Sequence, residues 1–437
     1  MPRRCYCPRC TQERSNRQQT SNASSLQNWE TSMIAVLEKP TDGLNLCGKS
    51  ADLSLFQEGA LSKLLFRTRQ SDDDAAVRRR RVGIALVLLA WVPLLGLSAW
   101  EGHMFGGAVA IPFLLDAEVH VRLLLTLPLL FIAQFVTEAR LRPVPRQFIE
   151  RELIPGNAVA PFRDAIESAA RLRGSAFAEV LLIAFVYGGG ILIWRRYVVA
   201  DTATWYATPF PGGLRLTLAG TWYAWVSLPI FQFILCRWYF RLFIWARFLW
   251  QVSRIQLKLV PTHPDGLAGL SFLSNTLRVL AVFALAHGTL LAGYLATQVV
   301  ILGTSLIEFK AEIAAMLILM VCVTAGPLLM FTPQLSEARR NGLRDYGRLA
   351  TRYVGEFDAK WVHSTAGDPG SLLGSADIQS LADMGNSYAV VRAMRVIPIT
   401  GDAIYRLTAA TLAPMIPLLL TMMPLEQILR KLAAIIL

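Results

Sequence analysis

The chain has 437 residues, 54% of them hydrophobic and only 17% charged, with a net charge of +12. Mean hydropathy is +0.42. Soluble domains carry nearer 25% charged residues, so this composition excludes an ordinary soluble globular protein. The basic excess falls between apolar runs, where it reads as membrane topology, and no nucleic-acid partner is expected.

Several apolar runs reach the ~20 residues that a helix needs to cross the hydrocarbon core. Lipid offers the backbone no hydrogen-bond partner, and the runs lack the alternation of barrel strands. The fold class expected is therefore all-α: a polytopic helical membrane protein with about seven transmembrane helices and amphipathic cytoplasmic helices.

In chain order, residues 1–77 read as a disordered, polar amino-terminal tail without a signal peptide. Cys5, Cys7 and Cys10 cluster there, but no second pair follows and Cys47 stands alone, so no metal site is expected. Met33 is an alternative start. The first span, 82–100, follows Arg78-Arg79-Arg80-Arg81, which places the amino terminus in the cytoplasm. It pairs with a second span, 119–137, in the unit 78–137. Arg140, Arg142, Arg146 and Arg151 open a cytoplasmic helical segment, 138–176. Spans three (177–194) and four (223–250) make up 177–250, joined by an outer loop, 195–220. Pro211-Gly212-Gly213 in that loop predicts a short hairpin.

A cytoplasmic connector, 251–278, carries Thr262-His263-Pro264-Asp265-Gly266. Spans five and six fill 279–331. The segment 332–405 is expected to be cytoplasmic, and in the sensor or scaffold reading it is the part that binds a protein partner. Leu335, Leu343, Tyr346, Leu349, Tyr353 and Phe357 lie there at helical spacing, ahead of a second helix capped by Asp377. Residues 406–437 hold span seven and an interfacial carboxy-terminal helix. The lipid bilayer itself is the other partner expected, and the oligomeric state is open.

Ionisable residues inside spans are costly, and each is a functional candidate with a named partner. Arg237 and Arg241 share a face of span four, at the depth of Glu179 on span three, so Glu179 is expected to pair with one of them between helices. Trp238, Tyr239, Trp245 and Trp250 nearby suit interfacial anchoring and cation–π contact. His287 sits mid-span, where a hydrogen-bonded helix contact is the commoner role and haem ligation the rarer. Asp116, Glu118, His120 and Arg122 crowd the outer mouth of span two: a divalent-cation or proton site, or a charged helix end held by i,i+4 pairs. In the connector, His263 and Asp265 are potential ligands held by a restricted backbone. No serine elbow, Walker loop, dinucleotide fingerprint or zinc-protease motif occurs in the sequence. No catalytic residue, cofactor or metal is therefore assigned.

Three strings, IPFLLDAEVHVRLLLTLPLL, FLWQVSRIQLKLVPTHPDGLAGLSFL and LLGSADIQSLADMGNSYAVVRAMRVIP, resemble an uncharacterised family of bacterial multipass inner-membrane proteins. The resemblance spans residues 78–437 and implies a cell inner-membrane location, with no activity attached. This chain reads Gly266-Leu267-Ala268-Gly269 where the family pattern tends towards adjacent glycines. Three functions remain open: a transporter or channel for a small solute or ion; a membrane-anchored sensor or scaffold; and, least expected, a membrane-embedded enzyme using His263 and Asp265.

Overall fold

The computed structural model describes residues 72–106, 109–190, 204–210, 213–301, 303–363 and 376–421. The expectations for residues 1–71, 191–203 and 211–212, and for the carboxy-terminal helix, lie outside the described residues. The first helix, α1 (Asp72–Trp100), starts within the sequence assigned to the tail. Then come α2 (residues 117–141), α3 (Val144–Glu150), α4 (Val159–Arg173) and α5 (Ala176–Gly190). A hairpin of β1 (Ala207–Phe210) and β2 (Gly213–Leu216) leads into α6 (Leu218–Ser253) and α7 (Ser271–Val300). The remaining helices are α8 (Leu306–Val362), α9 (Ala376–Ala393) and α10 (residues 401–421).

Five helical runs are long and apolar enough to cross a membrane: Arg80–Trp100, Ala117–Glu150, α6, α7 and α8. The count of about seven is thus reduced to five on these grounds among the described residues. Helix α5 is apolar but shorter, and α10 is interrupted by a 3-10 turn at Ala413–Met415 where Pro414 enters. Ile84, Leu88 and Val92 on α1, Phe177, Val180 and Leu181 on α5, and Ile318 and Leu319 on α8 are exposed. Such an apolar girdle fits a membrane protein.

Span six and the amphipathic helix after it form one continuous helix, where the sequence suggested a boundary. The junction is a 3-10 turn at Gly326–Phe331. Pro327 and Pro333 each fall in the first turn of their segment, where a missing N–H costs nothing. Helix α9 packs beside the distal part of α8. Asp377 is inside α9 instead of before it. Its carboxylate accepts from Trp361 Nε1 at 3.0 Å and Lys360 Nζ at 2.6 Å, which corrects the cap assignment.

The hairpin pairs Ala207 with Leu216 and Phe210 with Gly213, antiparallel, as the Pro-Gly-Gly signal predicts. It delivers the chain to α6 through Thr217, whose Oγ1 accepts from Gly220 N at 2.8 Å. From the end of α1, the Glu101 carboxylate accepts from Leu218 N at 2.7 Å and Ala219 N at 3.2 Å. A carboxylate on these otherwise orphaned amides ties two spans together.

Helix α7 is central, packed against α2, α8 and α10. Two glycines set its distances. A Cβ at Gly288 would collide with the Thr411 carbonyl of α10, and one at Gly293 would lie 2.7 Å from Val121 Cβ on α2. In an isolated helix, Gly→Ala gains ~1 kcal/mol. Gly288→Ala is expected to do the reverse and destabilise by about 1–3 kcal/mol, read from thermal unfolding in detergent; a rise in melting temperature would refute the close approach. At the other end of the bundle, Phe148, Phe162, Phe248, Phe272 and Phe331 are buried together from α3, α4, α6, α7 and α8.

Candidate functional site

Buried polar groups gather at three levels along α2, α6 and α7. At the hairpin end, Asp116 caps α2, its Oδ1 accepting from Val119 N at 3.3 Å and its Oδ2 from Trp205 Nε1 at 2.9 Å. Burial pushes the Asp116 carboxyl above the ordinary carboxylate range; the Trp205 hydrogen bond and the Arg122 charge oppose the shift. One turn on, His120 Nδ1 accepts from Trp91 Nε1 at 3.0 Å, which puts the ring proton on Nε2. Asp116 and His120 therefore turn to different tryptophans. No three His, Cys, Asp or Glu side chains gather in a metal-binding group among the described residues.

Glu118 and Arg122 form an i,i+4 pair, and Arg122 also donates to the Tyr223 hydroxyl of α6. Glu118 N donates to Thr297 Oγ1 of α7 at 3.1 Å. Three helices thus meet at one charged joint. It is roofed by rings: Phe113 lies 5.0 Å from Trp205, and Trp205 lies 5.5 Å from Tyr223.

At mid-depth, His287 is buried with both ring nitrogens engaged. Nδ1 lies 3.0 Å from the Phe283 carbonyl, and Nε2 2.9 Å from the Tyr239 hydroxyl of α6. Nδ1 must donate to a carbonyl, so in the neutral ring Nε2 accepts from Tyr239. It is a helix–helix hydrogen bond with no vacant nitrogen for haem.

Towards the connector end, Glu179 and Arg241 are each only 5% exposed. The charges acting on Arg241 include those of Arg237, Glu138, Arg173 and Glu179; Arg237, Glu138 and Arg173 are half-buried. Arg241 also sits 5.9 Å from the Trp238 ring. Trp238 and Trp245 are buried in the core, which corrects their assignment as interfacial anchors; Trp238 Nε1 donates to the Leu130 carbonyl of α2 at 3.1 Å. Trp250 stays exposed, beneath Arg254.

The connector is built around Asp265. Its Oδ1 accepts from Leu267 N at 2.8 Å and Gly269 N at 3.1 Å, and its Oδ2 from Ser271 N at 3.1 Å. Gly266, Ala268 and Gly269 all take positive φ, so the chain coils around the carboxylate. Burial acts to raise the Asp265 carboxyl, but these amides outweigh it and hold it below the usual range. His263 Nδ1 accepts from Asp265 N at 3.2 Å. The carboxylate is the hub of its own loop, with His263 Nδ1 3.0 Å from Oδ1.

Sequence reasoning missed Tyr223, Trp205 and Trp91 at the hairpin end, Tyr239 beside His287, and Glu138 and Arg173 in the inner cluster. Only cross-helix packing reveals them, although the Trp and Tyr content of residues 204–223 was a signal. No family model matches this chain, and no curated protein or solved structure is significantly similar to it.

Proposed function

We propose that the chain is a multipass transporter or channel-like protein for a small solute or ion, seated in the bacterial inner membrane with α5 and α10 completing seven crossings. The carrying observation is the polar content buried on α2, α6 and α7 at both ends and in the middle. Arg122 and Glu138 lie about 24 Å apart along α2 at 1.5 Å per residue, and Tyr223 and Arg241 about 27 Å apart along α6. Those separations approach the ~30 Å hydrocarbon thickness, so charged joints stand near both faces of a bilayer. Side chains this costly mark solute or ion pathways. Arg140, Arg142, Arg146 and Arg151 stand at the connector end, which the positive-inside tendency assigns to the cytoplasm together with the amino terminus. The family resemblance supports the same compartment.

The test is flux in liposomes holding the purified chain, with reporters for protons, potassium and chloride. Flux above protein-free vesicles is expected. It should fall sharply in Arg122→Gln. Absence of flux for every probe would refute this reading.

A second reading, a membrane-anchored scaffold binding a cytoplasmic protein, rests on the arm formed by distal α8 and α9. Leu349, Val354, Val362 and Ile378 are exposed there, and Arg339 ties the two helices by donating to the Arg392 carbonyl at 2.8 Å.

A further inference from the structure

A cavity of about 630 Å³ opens between the end of α2, α3 and the first turns of α7. It is amphipathic. Val136, Val144, Phe272 and Val279 line it together with Arg140, Arg278, Gln147 and Asn275. Its cationic charge is incompletely neutralised. Arg278 reaches Asp402 at 2.9 Å, but Asp402 is shared with Arg406 at 3.0 Å. Arg140 makes no ion pair among the described residues. No carboxylate lines the cavity.

Apolar side chains interspersed with guanidinium and amide donors match one ligand chemistry: a phosphate ester attached to hydrocarbon. Arginine presents several donors in a fixed fork suited to phosphate oxygens. We infer that this cavity is a binding site for the headgroup of an anionic phospholipid of the cytoplasmic leaflet. Basic pockets between transmembrane helices on that side hold such headgroups. The inference rests on the bilayer placement proposed above, which puts Arg140 and Arg278 near headgroup level. A zwitterionic lipid would bring its own cation against two guanidiniums, and free phosphate would leave the apolar lining uncovered.

The test is native mass spectrometry of the full chain in detergent, with phosphatidylglycerol and phosphatidylcholine added in equal amounts. The chain is expected to retain one phosphatidylglycerol with a preference of roughly tenfold or more, as two guanidiniums supply. Arg140→Gln with Arg278→Gln should abolish the preference, and Arg140→Lys with Arg278→Lys should keep most of it. Should the double glutamine variant fail to fold, Arg140→Gln alone breaks no ion pair among the described residues and should lower the preference. Inorganic phosphate at millimolar concentration should not displace the lipid. Equal retention of both lipids, unchanged selectivity in the glutamine variants, or displacement by phosphate would each overturn the site. The measurement needs no flux, so failure of the transport reading leaves it standing, and loss of lipid selectivity with flux intact refutes the lipid site alone.

Discussion

Replacing Glu179 with leucine is expected to destabilise the chain by about 3–5 kcal/mol, the range for removing one partner of a buried ionic group. The inner cluster has Arg173, Arg237 and Arg241 against Glu138 and Glu179, so this change leaves three cations facing one anion. Arg241→Leu leaves two of each, and its expected cost is clearly smaller although the two side chains are equally buried. Glu179→Leu combined with Arg241→Leu should recover most of the loss, because an apolar pair of similar volume carries no desolvation penalty. Thermal unfolding of the four proteins in one detergent gives the cycle. If Arg241→Leu costs as much as Glu179→Leu and the double variant does not recover, the cluster is not held by charge balance. A double variant that folds fully yet carries no flux would place the cluster on the solute path; retained flux would make it a staple between helices.

The elements of this fold were readable where a single stretch of chain decides them. Apolar length marks the long helices, Pro211-Gly212-Gly213 marks the hairpin, and the i,i+4 spacing marks the Glu118–Arg122 pair. What depends on neighbouring helices was not readable. Trp238 and Trp245 look like interfacial anchors beside Arg237 and Arg241, yet both fill the core, because the faces of α6 that carry them meet other helices. Glu138 and Arg173 sit at the margins of segments that hydropathy assigns to the cytoplasm, and only packing draws them to Arg241. His287 gave its depth but not its partner: Tyr239 is 48 residues away in sequence, and no periodicity connects the two. The Asp265 loop was noticed as a string of residues with restricted backbones, which is correct, but its two ligand-like side chains suggested chemistry where the carboxylate is used by the loop itself.

Asp265→Ala is accordingly expected to destabilise the chain by about 3 kcal/mol or more, since three amides lose a charged acceptor together. Leu267 and Gly269 are buried, and water cannot readily replace the carboxylate there. The damage should spread, because the loop is a junction: Arg395 N donates to the Gly266 carbonyl at 2.9 Å, Arg151 Nη1 to the Gly269 carbonyl at 3.0 Å, and Ser274 Oγ to the Pro398 carbonyl at 2.9 Å. Asp265→Asn keeps one acceptor oxygen and should fall between the alanine variant and the wild type. The pH dependence follows from the sign of the shift. The folded carboxyl lies below its ordinary value, so its contribution is complete above the unfolded value near 3.9 and is lost as pH falls through the folded one. The melting-temperature gap between wild type and Asp265→Asn should therefore be widest above about pH 4 and close at lower pH. A gap that stays constant through that window would show that the loop is held by shape alone. A gap that closes, with Asp265→Asn retaining wild-type flux at neutral pH, would fix Asp265 as the residue that organises the connector and remove it from any catalytic role.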